Sequence, residues 1–442
     1  MKLPVDEWQF PDEWQVVHAN EVAEFTRGIS WRKAEEAPPP DGIQVVSIPN
    51  IKNGFIDFES KFNHHISKTI SEAKRLRIGD ILFVGSSGSV HNVGRNAMVR
   101  SLPSDVLAFA SFTFKARSID GTIDNEFLYY LLNSEFAPFE WFCKRAADGK
   151  FNFQLRQFAS QLRVPLPPPV EQQRIAVVLS TVRRAIEQQQ RLIALTAELK
   201  NALMHKLFTE GVGREQRKES EIGELPESWD VLPLGRFLEC AQYGLSVKGS
   251  SSGRYPILRM TNQVNGKISP HDLQWVQIED DDFKKFRVEH GDILFNRTNS
   301  FDLVGRSAVF DVDSDYVFAS YLIRLRTNKD RLDPFFLNHY FNCASTQQRL
   351  KMIATRAVSQ SNISATRLKG FPIPLPSPEE QAEIVATLDV LDSKIALHER
   401  ERDALESMFC TLLHDLMTAS VRVTDLDLGA LGVEVPEREE VA

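Results

Sequence analysis

Apolar residues recur at three- and four-residue steps along two long stretches of the chain, and elsewhere they gather in short runs. In the stretch 171–208 the recurring positions are Ile175, Leu179, Val182, Ile186, Ile193, Leu199 and Leu203. In 380–417 they are Ile384, Leu388, Leu391, Ile395, Leu405, Met408 and Leu412. Each spacing predicts a helix with one apolar stripe, whose opposite face carries Arg, Glu and Gln. Pro168-Pro169 and Pro376-Ser377-Pro378 precede these helices, and Glu-Gln comes next, which suits a first helical turn. Gly211 and Gly213 stop the first helix. At ~1.5 Å per residue each helix is about 60 Å long. Its stripe can pack on its own globular domain, or the two related stripes can pack on each other. The runs 43–48, 81–84, 107–114, 308–312 and 321–325 predict strands, and 125–133 and 334–341 predict short aromatic helices.

The pattern is written twice. Gly79-Asp80-Ile81-Leu82-Phe83 recurs as Gly291-Asp292-Ile293-Leu294-Phe295, and Val93-Gly94-Arg95 as Val304-Gly305-Arg306. Pro11-Asp12-Glu13-Trp14 matches Pro226-Glu227-Ser228-Trp229, and Val164-Pro165-Leu166-Pro167 parallels Phe371-Pro372-Ile373-Pro374. The two helical stretches align without a gap and share nine identities over 38 positions. Collinear matches of this kind imply internal duplication. The two copies agree at framework motifs and differ almost everywhere else, so one plan carries two different surfaces.

Composition changes the picture in two ways. Apolar residues at 42% and charged residues at 25% are those of a globular protein. No apolar run could span a bilayer, and no signal segment opens the chain, so a cytoplasmic location without membrane contact is expected. Four separated cysteines give no CxxC pair, arguing against disulfides or structural zinc. The net charge of −8 is unevenly placed: residues 379–442 hold 16 Asp/Glu against five Lys/Arg. The remaining body is therefore mildly basic and compatible with a polyanionic partner.

Chemistry of the chain's own has little support. There is no GxxxxGK[ST] loop, no GxGxxG after a strand and no Asn/Asp-Pro-Pro-aromatic string. One loose constellation, Asp41 with Glu59 and Lys61, could hold magnesium in a nuclease, but it has no counterpart in the second copy. No cofactor or metal is expected in this chain.

The duplicated GDILF and VGR blocks, the proline stretches with Glu-Gln after them, and the paired long helices resemble the specificity subunits of type I restriction–modification enzymes over nearly the whole length. That family also has polar residues before each proline stretch; 359–364 (SQSNIS) matches well and 149–154 (GKFNFQ) loosely. The resemblance implies an α/β (α+β) fold with two pseudo-repeated target recognition domains, separated by two long antiparallel, coiled-coil-like helices. The expected segments are 1–165 and 215–372 as recognition domains, 166–214 and 373–420 as helices, and 421–442 as an acidic tail. It further implies a split double-stranded DNA target, with the helices acting as spacer and as dock for two methyltransferase subunits. Nuclease–translocase subunits then join. S-adenosylmethionine, ATP and magnesium would belong to those partners. An orphan DNA-binding or phage-defence factor of the same fold is the runner-up.

Residues expected to touch DNA come after GDILF in each copy: Ser86, Ser87, Ser89, His91 and Asn92 in the first, and Asn296, Arg297, Thr298, Asn299 and Ser300 in the second. Their side chains can bond base edges or phosphates, although polar turns are commonly just solvated. Arg95 and Arg306 occupy matched positions and suit a phosphate contact or a loop brace better than sequence reading. A basic stretch precedes each proline segment, supplying Lys150, Asn152 and Arg156 in the first copy and Arg356, Ser359, Gln360 and Asn362 in the second. Such charge either neutralises phosphates or forms a solvated face.

Overall fold

The computed structural model describes residues 3–60, 63–104, 107–213, 215–356 and 360–425. Lys61, Ser359 and nearly all of the acidic tail therefore lie outside the described residues. Two compact units emerge: Met1–Gln188 with Glu401–Ala442, and Gln189–Arg400. Each contains one globular module together with half of each long helix.

In the first unit a four-stranded antiparallel sheet runs in the order Ala23–Arg27, Thr113–Ser118, Ile81–Val84, Asn96–Met98. A second sheet holds His64–Ile66, Ile43–Val46 and Leu107–Phe109, the last pair parallel. The predicted single strand over 107–114 is thus two strands in two sheets. The break falls at Ala110-Ser111-Phe112, where Thr113 N donates back to Ala110 O at 2.9 Å. Helix α1 (Asn125–Leu131) comes next, capped by Asp124, whose carboxylate accepts from Phe127 N. The second unit repeats this plan. Its main sheet has six strands, with Ile293–Asn296 between Leu322–Thr327 and Ser307–Val309. Its second sheet again contains one parallel pair, Tyr255–Leu258 with Val317–Phe318.

The repeated motifs close each module. Gln15–His18, just after Trp14, pairs antiparallel with Arg163–Leu166, and Asp230–Pro233 pairs with Pro372–Leu375 in the same way. Each module's first and last strands are thereby clasped. The chain then enters helix α2 (Pro169–Glu210) or, in the second module, where helix α3 (Pro334–Asn342) comes before that clasp, helix α4 (Pro378–Met417).

Both packing arrangements expected for the helices occur together, although Leu199 and Met408, counted in the stripes, are exposed. In the first unit Ile175, Ala176, Val178 and Leu179 of α2 share a core with Leu416 and Met417 of α4 and with the module's Phe127, Tyr130 and Phe158. In the second, Met204, Leu207 and Phe208 of α2 share a core with Ile384 and Leu388 of α4 and with Phe336 and Tyr340. There Lys200 meets Asp392 at 2.5 Å and Gln189 meets His398 at 2.8 Å, so the helix segments run antiparallel.

The Glu-Gln pair does more than begin a helix. Glu171 accepts the indole N–H of Trp14 at 2.9 Å, and Glu380 that of Trp229 at 2.8 Å. Gln172 accepts the backbone N–H of the α1 cap Asp124, and Gln381 that of the α3 cap Asp333, both at 2.8 Å. Each glutamate also grips the chain just past the end of the other long helix. Glu171 takes Arg422 Nε at 2.9 Å, and Glu380 takes Val212 N at 3.0 Å. Bonding to Glu171 and then Glu13 holds the Arg422 guanidinium above its ordinary pKa.

Candidate nucleic-acid interface

The GDILF block fixes where the chain emerges from the core strand of each module. Gly79 and Gly291 adopt φ of +90° and +87°, the left-handed region glycine tolerates. The next residue, Asp80 or Asp292, is 1% exposed and takes a two-pronged arginine contact. Arg117 reaches Asp80 at 2.6 and 2.7 Å, and Arg326 reaches Asp292 at 2.7 and 2.8 Å. These bonds raise both guanidinium pKa values. Each carboxylate also caps the preceding turn, through Arg77 N or Glu289 N at 2.8 Å. The strand 81–84 or 293–296 is thus anchored at its start and buried along its length.

Beyond the strand, two residues form the inner edge of a small three-stranded sheet. In the first module Ser86–Ser87 pairs with Phe151–Phe153, which pairs with Cys143–Arg145. In the second, Thr298–Asn299 pairs with Ser361–Asn362, which pairs with Thr355–Arg356. The two segments singled out from each copy therefore meet. Asn152 stands opposite Ser86 in the register that sets Asn362 opposite Thr298. Ser86 Oγ donates to Asn152 Oδ1 at 2.8 Å, and Asn362 Nδ2 donates to Thr298 Oγ1 at 2.7 Å. The weak match of 149–154 to 359–364 is a true equivalence, carried by register and not by composition.

Around this shared frame the exposed side chains differ. In the first module Ser86 and Ser87 are half-buried, while Ser89, His91, Asn92, Lys150 and Arg156 are exposed. His91 Nδ1 lies 2.7 Å from Glu140, and Lys150 lies 3.7 Å from Asp148. In the second module Ser300, Arg306, Arg356 and Gln360 are exposed, and Asn299 is half-buried against the sulfur of Met260. The Arg356 guanidinium sits 3.8 Å over the Phe301 ring. Arg95 is half-buried, and its carbonyl accepts from Val84 N at 2.9 Å, as that of Arg306 accepts from Asn296 N at 2.8 Å.

Burial removes three residues from the expected contact surface. Asn296 is 2% exposed because it still belongs to the core strand, and Thr298 is spent on Asn362. Arg297 is half-buried, lies 4.8 Å over Tyr243 and donates to Ser320 O. The basic stretches are likewise divided. Arg349 donates to Pro372 O, Arg367 to Ile353 O and Thr355 Oγ1, and Arg163 pairs with Asp6, so these brace the fold. Lys144, Arg145, Arg156, Arg356 and Lys369 remain exposed. Lys248 and Arg259, which are not among the residues expected from the sequence, line a hollow beside Met260 and Tyr321, and Arg259 is paired there with Asp272 at 3.1 Å.

Among the described residues one group could hold a metal, His339 with Asp389 and Asp392. Its charges are already matched: Lys200 engages Asp392, and His339, 3.3 Å away, holds Asp389 below its ordinary pKa. Asp41 and Glu59 belong to no such group, so the nuclease reading gains nothing from the structure.

Residues 11–197 and 226–407 each match the model of the type I restriction modification DNA specificity domain. The chain belongs to this family. Over 210 residues, 47% of this chain and 49% of the relative, it is 34% identical to a putative type I restriction enzyme MjaX specificity subunit of Methanocaldococcus jannaschii. It is 24% identical to the MjaVIII specificity subunit of the same organism across 94% of this chain and 95% of that one. Against the EcoKI specificity subunit of Escherichia coli K12 the identity is 24%, covering 87% and 83% of the two chains. The crystal structure of a type I restriction–modification S subunit from M. genitalium shares the fold, with a TM-score of 0.57 at 15% identity, covering 94% of this chain and 99% of that one. The family match accounts for the duplication: each matched range holds one module and most of one long helix. No helix among the described residues is long and apolar enough to cross a membrane.

Proposed function

We propose that the chain is the DNA-reading subunit of a type I restriction–modification complex, each module recognising one half of a split duplex site. The observation that carries this reading is the paired recognition sheets. They share register and an asparagine–hydroxyl bond, yet present Ser89, His91, Asn92 and Lys150 in one module and Ser300, Arg356 and Gln360 in the other. A fixed frame with different polar tips is what independent reading of two unlike half-sites requires. Arg95 and Arg306, common to both, suit phosphate contacts or support of the loop.

The helices supply the scaffold. Leu192, Leu195 and Leu199 lie along one face of α2, and Leu199 is 57% exposed. An apolar stripe in solvent at helical spacing supports docking of a methyltransferase subunit, with nuclease–translocase subunits joining through it. Methyl transfer, and the S-adenosylmethionine, ATP and magnesium it and cleavage require, belong to those partners in the cytoplasm. The chain contributes recognition and no bond-making step.

Methylome sequencing of a host with and without the chain tests the reading, because a split adenine-methylation motif should appear only with it. Replacing residues 1–165 by another family member's module should then change one half of that motif. A change in both halves, or no chain-dependent motif, refutes independent half-site reading.

A further inference from the structure

Each module offers one large aromatic ring to solvent at the same point beside its recognition sheet. Phe112 is 54% exposed and Tyr321 is 47% exposed. They end matching turns, Phe109-Ala110-Ser111-Phe112 and Phe318-Ala319-Ser320-Tyr321, where the chain passes from the second sheet to the main one. The backbone bonds match as well. Ala110 N donates to Val46 O at 2.8 Å and Ala319 N to Leu258 O at 2.9 Å. Phe112 O accepts from Gly85 N at 2.9 Å, and Tyr321 O accepts from Arg297 N at 3.0 Å. An arginine fastens each turn from the side: Arg27 Nε to Ser111 O at 2.8 Å, and Arg297 Nη1 to Ser320 O at 3.2 Å.

The first residue of each turn, Phe109 or Phe318, is fully buried, so the turn cannot roll its exposed ring into the core. Exposed rings without repetition need no explanation; Phe55, for instance, stands where the second module has Lys267. Phe112 and Tyr321 are different, because they persist where neighbouring loops have diverged. Phe112 also borders two hollows, one containing Ser86 and Lys150 and the other Asn152 and Arg156. Tyr321 borders the hollow containing Lys248 and Arg259. Phe112 therefore stands beside Ser86, Asn152, Lys150 and Arg156, and Tyr321 beside Lys248 and next to Arg297, whose backbone continues into the small sheet.

A contact shared by both modules cannot encode the difference between two half-sites. Of the two rings only Tyr321 carries a hydroxyl, so what they have in common is an aromatic face with no hydrogen bond to offer a base edge. What it can offer is stacking, which tolerates sequence because every base has a π-face, and apolar side chains are known to wedge into base steps. We propose that Phe112 and Tyr321 are a matched pair of DNA-positioning residues, each wedging its ring into a base step of its own half-site. This rests on the DNA-reading function proposed above and adds a sequence-independent anchor that fixes the depth and register of each recognition sheet.

The test uses the full-length chain and a duplex spanning the split motif, with 2-aminopurine substituted in turn at positions in and beside each half-site. Wild type should raise emission at one step per half-site. Phe112→Ala should abolish the rise at one half-site and Tyr321→Ala at the other, each weakening binding about tenfold. Phe112→Tyr and Tyr321→Phe should retain the signal, and thermal melting should be unchanged, since both rings are exposed. Emission unaltered by wild type at every position, or alanine variants binding within about twofold of wild type, overturns the wedge while leaving DNA reading intact. Failure of the wild-type chain to bind the duplex overturns both.

Discussion

Asp292→Asn should loosen the second unit without touching its recognition surface. Asp292 is 1% exposed and accepts three short bonds, two from Arg326 and one from Glu289 N at 2.8 Å. The amide keeps the shape but loses the charge, and it turns a donor toward the guanidinium. Bonds to charged groups contribute about 1.5–3 kcal/mol each, and removing one partner of a buried pair costs about 3–5 kcal/mol. Arg326 keeps partial access to water (27% exposed) and a second carboxylate, Glu289 at 3.0 Å, which discounts the upper figure. A loss of about 2–3 kcal/mol remains, equivalent to roughly 30- to 150-fold in the opening equilibrium. Hydrogen exchange read by mass spectrometry should show that acceleration in peptides covering 293–296 and 322–327, with peptides covering 81–84 and 113–118 unchanged. Asp80→Asn should give the reverse pattern. Unaltered protection together with lost half-site recognition would refute the argument, for it would make the GDILF aspartate a DNA-facing group and not an anchor.

The same geometry carries three further outcomes. Glu380→Gln weakens the acceptor shared by the Trp229 indole and Val212 N, and should cost the second unit about 1–2 kcal/mol, seen as faster hydrogen exchange in peptides covering 230–233 and 372–375. Burial lowers the Lys115 ammonium to about 8, below its unfolded value. Between these values the unfolded chain holds a proton that the folded chain lacks, so stability should rise from about pH 8 toward pH 10.5, and Lys115→Met should flatten that rise in denaturant titrations. Asn362→Ala frees the Thr298 hydroxyl and should relax discrimination in one half-site, while Asn152→Ala should relax the other; methylome sequencing of each variant would show it.

Duplication, the helices and the outline of each module were legible in the sequence because they rest on periodicity and on identities in a preserved order. The register of the recognition sheets was not. Asn152 and Asn362 hold the same place in two strings that otherwise differ, but nothing in those strings shows that each pairs with the residue two past the end of the GDILF strand's buried run. Burial was equally hidden: Asn296 and Ser300 look alike as polar loop residues, but the strand runs through Asn296 before the chain turns outward. The run 107–114 read as one strand because apolar content does not record a change of sheet. Its repeated Phe-Ala-Ser-aromatic string was the available signal, short enough to pass among commoner matches. Glu-Gln was read as a helix start, and its second task required knowing that Trp14 and Trp229 lie within reach.

The way the first unit borrows its last pieces bears on how the protein is made. Its core includes Leu416, Met417 and Val423, and its glutamate clasp waits for Arg422. The second unit, Gln189–Arg400, uses one unbroken stretch. A ribosome adding about 5–20 residues per second releases the first module's 188 residues and then spends on the order of ten seconds or more on the rest. During that interval the earlier module carries an uncovered apolar face while the later one completes itself. The last residues made thus supply part of the first module's core, and a chain cut short after residue 400 would hold every residue of the second unit but lack Leu416, Met417, Arg422 and Val423 of the first.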